Sequence, residues 1–146
     1  MAGLEISSDA FDEGGAIPRR YTCDAENVSP PLSFAGAPEG TRSFALIVDD
    51  PDAPVGTFTH WLAWGIAPDS AGLGEGQPPP REGKNGFGTI GYAGPCPPHG
   101  RHRYFFRLHA LDAGPDLEPG ADRDAVEGAL EGHVLETAEL MGTYER

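Results

Sequence analysis

Two acids, two histidines and a tyrosine carry the chemistry open to this chain. Asp49-Asp50-Pro51-Asp52-Ala53-Pro54 follows directly on an apolar run, and His60-Trp61 comes six residues past Pro54. Pro51 and Pro54 each fix their own φ and donate no backbone hydrogen bond, so the turn is stiff. It holds Asp50 and Asp52 at a strand end, where sites are commonly built. The same acids can instead make Asx-type bonds to their own backbone, a purely structural use. Farther along comes Gly91-Tyr92-Ala93-Gly94-Pro95-Cys96-Pro97-Pro98-His99-Gly100-Arg101-His102-Arg103-Tyr104. Gly94 and Gly100 let backbone approach a ligand closely, while Pro95, Pro97 and Pro98 remove flexibility. If the strand through His102 and Tyr104 neighbours the one starting at His60, two imidazoles and a phenol converge beside Asp50. Imidazole N–H and phenol O–H are donors, and a carboxylate can hold an imidazole in its donating tautomer. That set suits a small phosphate-like anion, with binding that strengthens below neutral pH.

Other chemistries fit less well. His60, His99 and His102 are zinc-ligand types, but His99 sits in a Pro-Gly loop that does not match its geometry to His102, so no metal is assigned. Cys96 is flanked by prolines and has no evident triad partner. Neither a Gly-x-Ser-x-Gly elbow nor a Gly-rich phosphate loop opening a helix is present. The residues speak for binding, with no cofactor, rather than for catalysis. A weak hydrolase using His60 or His102 as general base is the enzymatic alternative. Inhibition of a protease or kinase through the Pro-rich 77–100 segment is another.

The elements that must position these residues are legible. Ser43 to Val48 is a continuous apolar run, as expected of a strand covered on both faces. His60 to Ile66 is a second strand. Arg103 to Leu111 is a third, with His102, Tyr104, Phe106 and Leu108 on one face and Arg103, Phe105, Arg107 and His109 on the other. Leu4 to Ile17 holds an edge strand, and the segment before Phe34 a short extended piece. Residues 67–100 contain nine glycines and seven prolines, which forbids a long helix; a loop region of this length is usually functional when ordered. Asp122 is placed to cap a helix with Val126, Ala129, Leu130 and His133 on one stripe, ended by Gly132. The second half of 134–144 reads as a strand. With no repeat or linker visible, one domain over 1–146 is expected.

Composition narrows the partners. The 146 residues include 10 basic and 23 acidic side chains, a net charge of −13, which argues against nucleic acid and against anionic membrane surfaces. No apolar run is long enough to span a bilayer, and no secretory pattern opens the chain. A cytoplasmic protein without integral membrane association is expected, with Cys23 and Cys96 as reduced thiols. Lys84 is the sole lysine. Acidity of this kind predicts easier unfolding in low salt than in molar salt, a comparison that denaturant titration makes directly.

Several motifs in order resemble the phosphatidylethanolamine-binding protein family, in its bacterial and archaeal branch, often called Raf kinase inhibitor-like. They are Ile-Pro-Arg-Arg-Tyr-Thr-Cys-Asp at 17–24, Ser-Pro-Pro-Leu-Ser at 29–33, Asp-Pro-Asp-Ala-Pro at 50–54 and His60-Trp61. Gly83-Lys84-Asn85-Gly86-Phe87-Gly88, the stretch from Gly91 to Tyr104, and Gly142-Thr143-Tyr144 complete the match over nearly the whole chain. The resemblance implies a mainly β (α+β) fold, an antiparallel sandwich with a few peripheral helices. It also implies an anion pocket lined by Asp50, Pro54, His60, His102 and Tyr104, with Gly94 and Pro95 in its wall; Asp52 joins the set from the turn. The expected partner is a small anionic or phosphorylated ligand, with a protease or kinase and a second copy of the chain as further candidates. The chain departs from relatives at Gly86, where they often carry a small polar or acidic residue. It also ends at Arg146, without the C-terminal helix of eukaryotic members.

Overall fold

A computed structural model of the chain describes residues 3–146. Its spine is β3 (Ser43–Asp50), buried along its entire length. β4 (Phe58–Ile66) and β7 (Arg101–Leu111) pair with it on either side, β6 (Arg81–Glu82) lies outside β4, and β8 (Val134–Glu145) lies outside β7. All pairs are antiparallel. A second antiparallel sheet holds β1 (Glu5–Ser7), β2 (Leu32–Ala35) and β5 (Gly72–Leu73), in the order β1-β2-β5. The fold is mainly β, two packed antiparallel sheets and one helix, as expected.

Alternation along β3 divides the core in two. Phe44, Leu46 and Val48 face inward, against Trp61, Tyr104, Phe106 and Leu108 and against Ile6, Leu32 and Phe34 of the smaller sheet. Ala45 and Ile47 face outward with Leu62, Trp64 and Leu111, beneath Val126 and Leu130 of α1 (Arg123–Leu130). This explains the unbroken apolar run: a strand covered on both faces has no solvent side to mark with polar residues. The helix starts at Asp122, whose side chain accepts from Ala125 N–H at 2.9 Å.

Three expectations are corrected. The strand bearing His102 and Tyr104 does not neighbour the one bearing His60, because β3 lies between them. The tail is a strand from Val134 onward rather than over its second half alone. Gly132, at φ +81°, turns the chain straight out of the helix, and pairing with the long β7 sustains the strand. His133 therefore lies beyond the helix, bonded to Asp112 at 2.8 Å. Finally, Cys23 and Cys96 form a disulfide rather than two reduced thiols. Their separation of 73 residues hid the contact; the fold lays residues 21–27 against 92–95, where Cys23 N–H donates to the Pro95 carbonyl at 3.2 Å. No helix among the described residues is long and apolar enough to cross a membrane.

Candidate functional site

At the end where β3 stops, three adjacent strands deliver the reactive side chains to the inner face. Asp49 and Asp50 point to opposite faces, since successive residues alternate along a strand. Asp50 goes inward. β7 adds His102 and Tyr104 by the same alternation. β4 delivers His60 differently: Val48 pairs with Trp61 and Asp49 with Thr59, so His60 is an extra residue in a β-bulge. Bulges re-aim side chains and are common beside sites. This one turns His60 into the same space as Asp50.

The four side chains are all buried: Asp50 is 3 %, His60 3 %, His102 7 % and Tyr104 1 % exposed. His102 Nδ1 donates to Asp50 Oδ2 at 2.6 Å, and His60 Nδ1 donates to the Ala93 carbonyl, also at 2.6 Å. With Nδ1 as the donor in each of these bonds, each Nε2 is left for a ligand. Tyr104 packs edge-on to His60 and stacks on His102, with ring centroids 5.2 and 6.5 Å away. Its hydroxyl is buried and has no hydrogen-bond partner among the described residues. Burial, with the Asp50 and Asp52 charges behind it, pushes the Tyr104 hydroxyl well above its ordinary value, so it stays a donor. Burial pushes His60 the other way, below the usual imidazole value, against the pull of Ala93 and Asp50.

A cavity of about 170 Å³ opens at this point, lined by Asp50, Ala53, Pro54, Phe58, His60, Phe87, Cys96, Pro97, Pro98 and His102. Asp50, Pro54, His60 and His102 are thus brought together, with Tyr104 packed against both imidazoles. The other expected residues lie elsewhere. Asp52 is bound to Arg103 through three hydrogen bonds of 2.9 Å, and that guanidinium holds its carboxyl at about 2. Asp50 Oδ1 also accepts from Asp52 N–H at 2.7 Å, so the Asx bond and the imidazole contact coexist on one carboxylate. Gly94 and Pro95 brace the wall from behind. Gly94 N–H donates to Asn27 Oδ1 at 2.8 Å, and a Cβ on Gly94 would stand 2.2 Å from the Tyr21 carbonyl oxygen.

Sequence reasoning missed Phe58, Phe87, Cys96 and the paired prolines Pro97 and Pro98 as cavity walls. Phe58 and Phe87 meet at 4.7 Å between centroids. A Cβ on Gly86 would come within 2.5 Å of the Phe58 ring, so glycine is what lets the ring lie over that loop. The readable signal was Asn85-Gly86, a turn dipeptide: Asn85 is buried and its side chain bonds Thr89, Gly91 and Phe87 N–H, setting Phe87 at the mouth. Phe87, 57 % exposed, gives the cavity an apolar edge. A larger cavity of about 320 Å³ lies on the outer face by α1, but its Asp49, Arg107 and Arg123 are bonded to one another. Among the described residues no group of three or more His, Cys, Asp or Glu side chains is placed to hold a metal ion.

A family model described as phosphatidylethanolamine-binding protein matches residues 7–145. A UPF0098 protein of Methanothermobacter thermautotrophicus is 53 % identical over 150 residues, covering 98 % of this chain and 99 % of that one. A UPF0098 protein of Pyrococcus horikoshii is 47 % identical, covering 98 % and 77 %. Among solved structures, a phosphatidylethanolamine-binding protein homologue from Chlamydia trachomatis superposes with a TM-score of 0.96 at 40 % identity, covering 100 % of this chain and 99 % of that one. An Escherichia coli protein described as a new member of the mammalian family superposes at 0.92 with 31 % identity, covering 99 % of each chain.

Proposed function

The chain belongs to the phosphatidylethanolamine-binding protein family, and from that premise we propose that the cavity at Asp50 binds a small phosphate-like or phosphorylated anion. The reading is carried by Asp50, His60 and His102 lining one cavity, with each imidazole held through Nδ1 so that its other nitrogen is left for a ligand. The exposed Phe87 in the cavity wall suits a ligand whose phosphorylated end enters while an apolar portion stays at the rim.

Binding is coupled to protons. Asp50 already places a carboxylate in the cavity, and a neutral His60 offers the lone pair of Nε2 rather than a donor. A fully ionised anion must therefore bring a proton onto an imidazole as it enters. The sign follows: burial depresses the free His60 value, the anion raises it, and affinity climbs as pH falls through the anion-bound value and levels off below the free one. Inorganic sulfate is the clean probe, because its own charge is constant over this range. Calorimetric titration should give an affinity rising by up to about tenfold per pH unit for one proton taken up. His102→Ala should weaken sulfate binding by at least about tenfold, the loss expected for one charge-assisted hydrogen bond of about 1.5–3 kcal/mol. A flat pH profile together with undiminished binding in the variant would sink the proposal.

The Asp50–His102 pair favours one second reading. A carboxylate orienting an imidazole with a free Nε2 is the arrangement of a general base. Hydrolysis of a phosphomonoester by the purified protein, lost in His102→Ala, would replace a binding role with an enzymatic one.

A further inference from the structure

The Ala93–Gly94 peptide is hydrogen-bonded at both ends, one of them to His60. Its carbonyl accepts from His60 Nδ1 at 2.6 Å, while its N–H donates to Asn27 Oδ1 at 2.8 Å. A peptide unit is planar, so the direction of the N–H sets the direction of the C=O. Ala93 N–H also donates to the His60 carbonyl at 3.0 Å, which fixes residue 93 beside the histidine backbone. The tilt of the following peptide, and with it the aim of the acceptor at Nδ1, is left to Gly94 and Asn27. Both are suited to the contact. A Cβ on Gly94 would stand 2.5 Å from Asn27 Oδ1, so only glycine lets the amide come this near. Asn27 is the one non-glycine among the described residues with a left-handed backbone, at φ +57°. Its N–H donates to the Arg20 carbonyl at 2.9 Å, and the residue as a whole is exposed. Among the described residues its side chain makes one hydrogen bond, the one to Gly94.

We propose that Asn27 is a positioning residue: through the Ala93–Gly94 peptide it keeps the neutral His60 ring with its hydrogen on Nδ1 and its Nε2 lone pair toward the cavity. The consequence rests on reading that cavity as an anion site: the coupling of anion entry to a proton is imposed by the surrounding chain. Neutral imidazole can carry its hydrogen on either nitrogen, and the bond made by one nitrogen selects the state of the other. With the hydrogen on Nε2, His60 would meet an anion as an N–H donor without first taking a proton. With it on Nδ1 the ring offers a lone pair, and an ionised anion enters only as the ring is protonated. The other groups around His60 do not make this choice. Asp50, which shares the cavity, and Asp49, on the opposite face of β3, draw a proton toward the ring by charge. His102 is committed through Nδ1 to Asp50, Tyr104 packs edge-on at 5.2 Å between centroids, and Phe58 and Phe87 are uncharged. None of these gives Nδ1 an acceptor; the Ala93 carbonyl does. Hydrogen bonds in a chain polarise one another, so the bond to Asn27 also strengthens that carbonyl as an acceptor.

Two substitutions separate the acceptor from the turn. Asn27→Gly keeps the left-handed backbone and removes the acceptor, whereas Asn27→Asp keeps both. Nitrogen-15 NMR of the anion-free protein, above about pH 8 where imidazole is neutral, reads the tautomer without any ligand. His60 should carry its hydrogen on Nδ1 in the parent and in Asn27→Asp. In Asn27→Gly the ratio of the Nδ1–H to the Nε2–H form should fall about fivefold, the loss of one ordinary hydrogen bond. Sulfate titration then reads the consequence. Affinity in the parent should rise by up to about tenfold per pH unit as pH falls, and in Asn27→Gly by about threefold or less. An unchanged tautomer in Asn27→Gly overturns the proposal, since the Ala93 contact or water would then hold the ring unaided. Asn27→Asp behaving like Asn27→Gly overturns it too, because the acceptor would not be what matters. A shifted tautomer with an unchanged pH slope overturns the link to proton uptake. If the parent takes up no sulfate at any pH, the anion reading falls, and the tautomer comparison still decides the role of Asn27.

Discussion

Asp49→Ala should destabilise the protein by about 3 kcal/mol, read as a lower urea midpoint with the slope unchanged. Asp49 is 1 % exposed on the outer face of β3. Its carboxylate accepts from both terminal nitrogens of Arg123 and from Arg107 Nη1 at 3.1 Å, and Arg123 continues to Thr59 at 3.0 Å. Removing one partner of a buried pair typically costs about 3–5 kcal/mol, because the remaining charge stays desolvated. The lower end applies here. The Arg107 and Arg123 side chains are 34 % and 29 % exposed, so both guanidiniums can recover some hydration. The loss should also free α1, since Arg123 opens that helix and Asp49 ties it to the sheet. A change below about 1 kcal/mol would mean that water replaces the carboxylate and that the network, like most exposed ion pairs, contributes little.

The double variant Cys23→Ala, Cys96→Ala should lower stability by about 4 kcal/mol while leaving sulfate binding within a few-fold of the parent. A crosslink closing 73 residues removes that much loop-closure freedom from the unfolded chain. The folded state has other ties across the same contact. Cys23 N–H donates to Pro95 C=O at 3.2 Å, Tyr92 Oη donates to the Tyr21 carbonyl at 2.7 Å, and Gly94 N–H donates to Asn27 at 2.8 Å. Cys96 lines the cavity, yet Pro95, Pro97 and Pro98 stiffen the wall around it. Reduction by a dithiol should reproduce the stability loss in the parent and leave the double variant unaffected. If binding instead vanished in the variant at temperatures where it remains folded, the disulfide would be shaping the cavity and not only restraining the unfolded chain.

Composition and alternation carried much of the architecture. Ser43 to Val48 could be assigned to a doubly covered strand because unbroken apolar and β-branched residues have no other economical placement. His102, Tyr104, Phe106 and Leu108 share a face because a strand alternates whatever it packs against. The rigidity of the Asp50 turn was equally local, a consequence of two proline rings. Asp50 and Asp52 nevertheless parted company, since nothing in the turn reveals that Arg103 waits for Asp52 on another strand.

What local pattern determined, then, was which residues lie on which strand and which way most of them point. Tertiary structure decided the rest. Strict alternation would place His60 and Trp61 on opposite faces, and only the bulge against Val48 and Asp49 turns His60 toward Asp50. Inserting β3 between β4 and β7 lets one carboxylate stand between two imidazoles, and that order depends on pairings closed across long loops. The union of Cys23 with Cys96 is of the same kind. Each is a contact between segments far apart in the chain, chosen by the burial of the whole molecule, so no window of neighbouring residues contains the information that selects it.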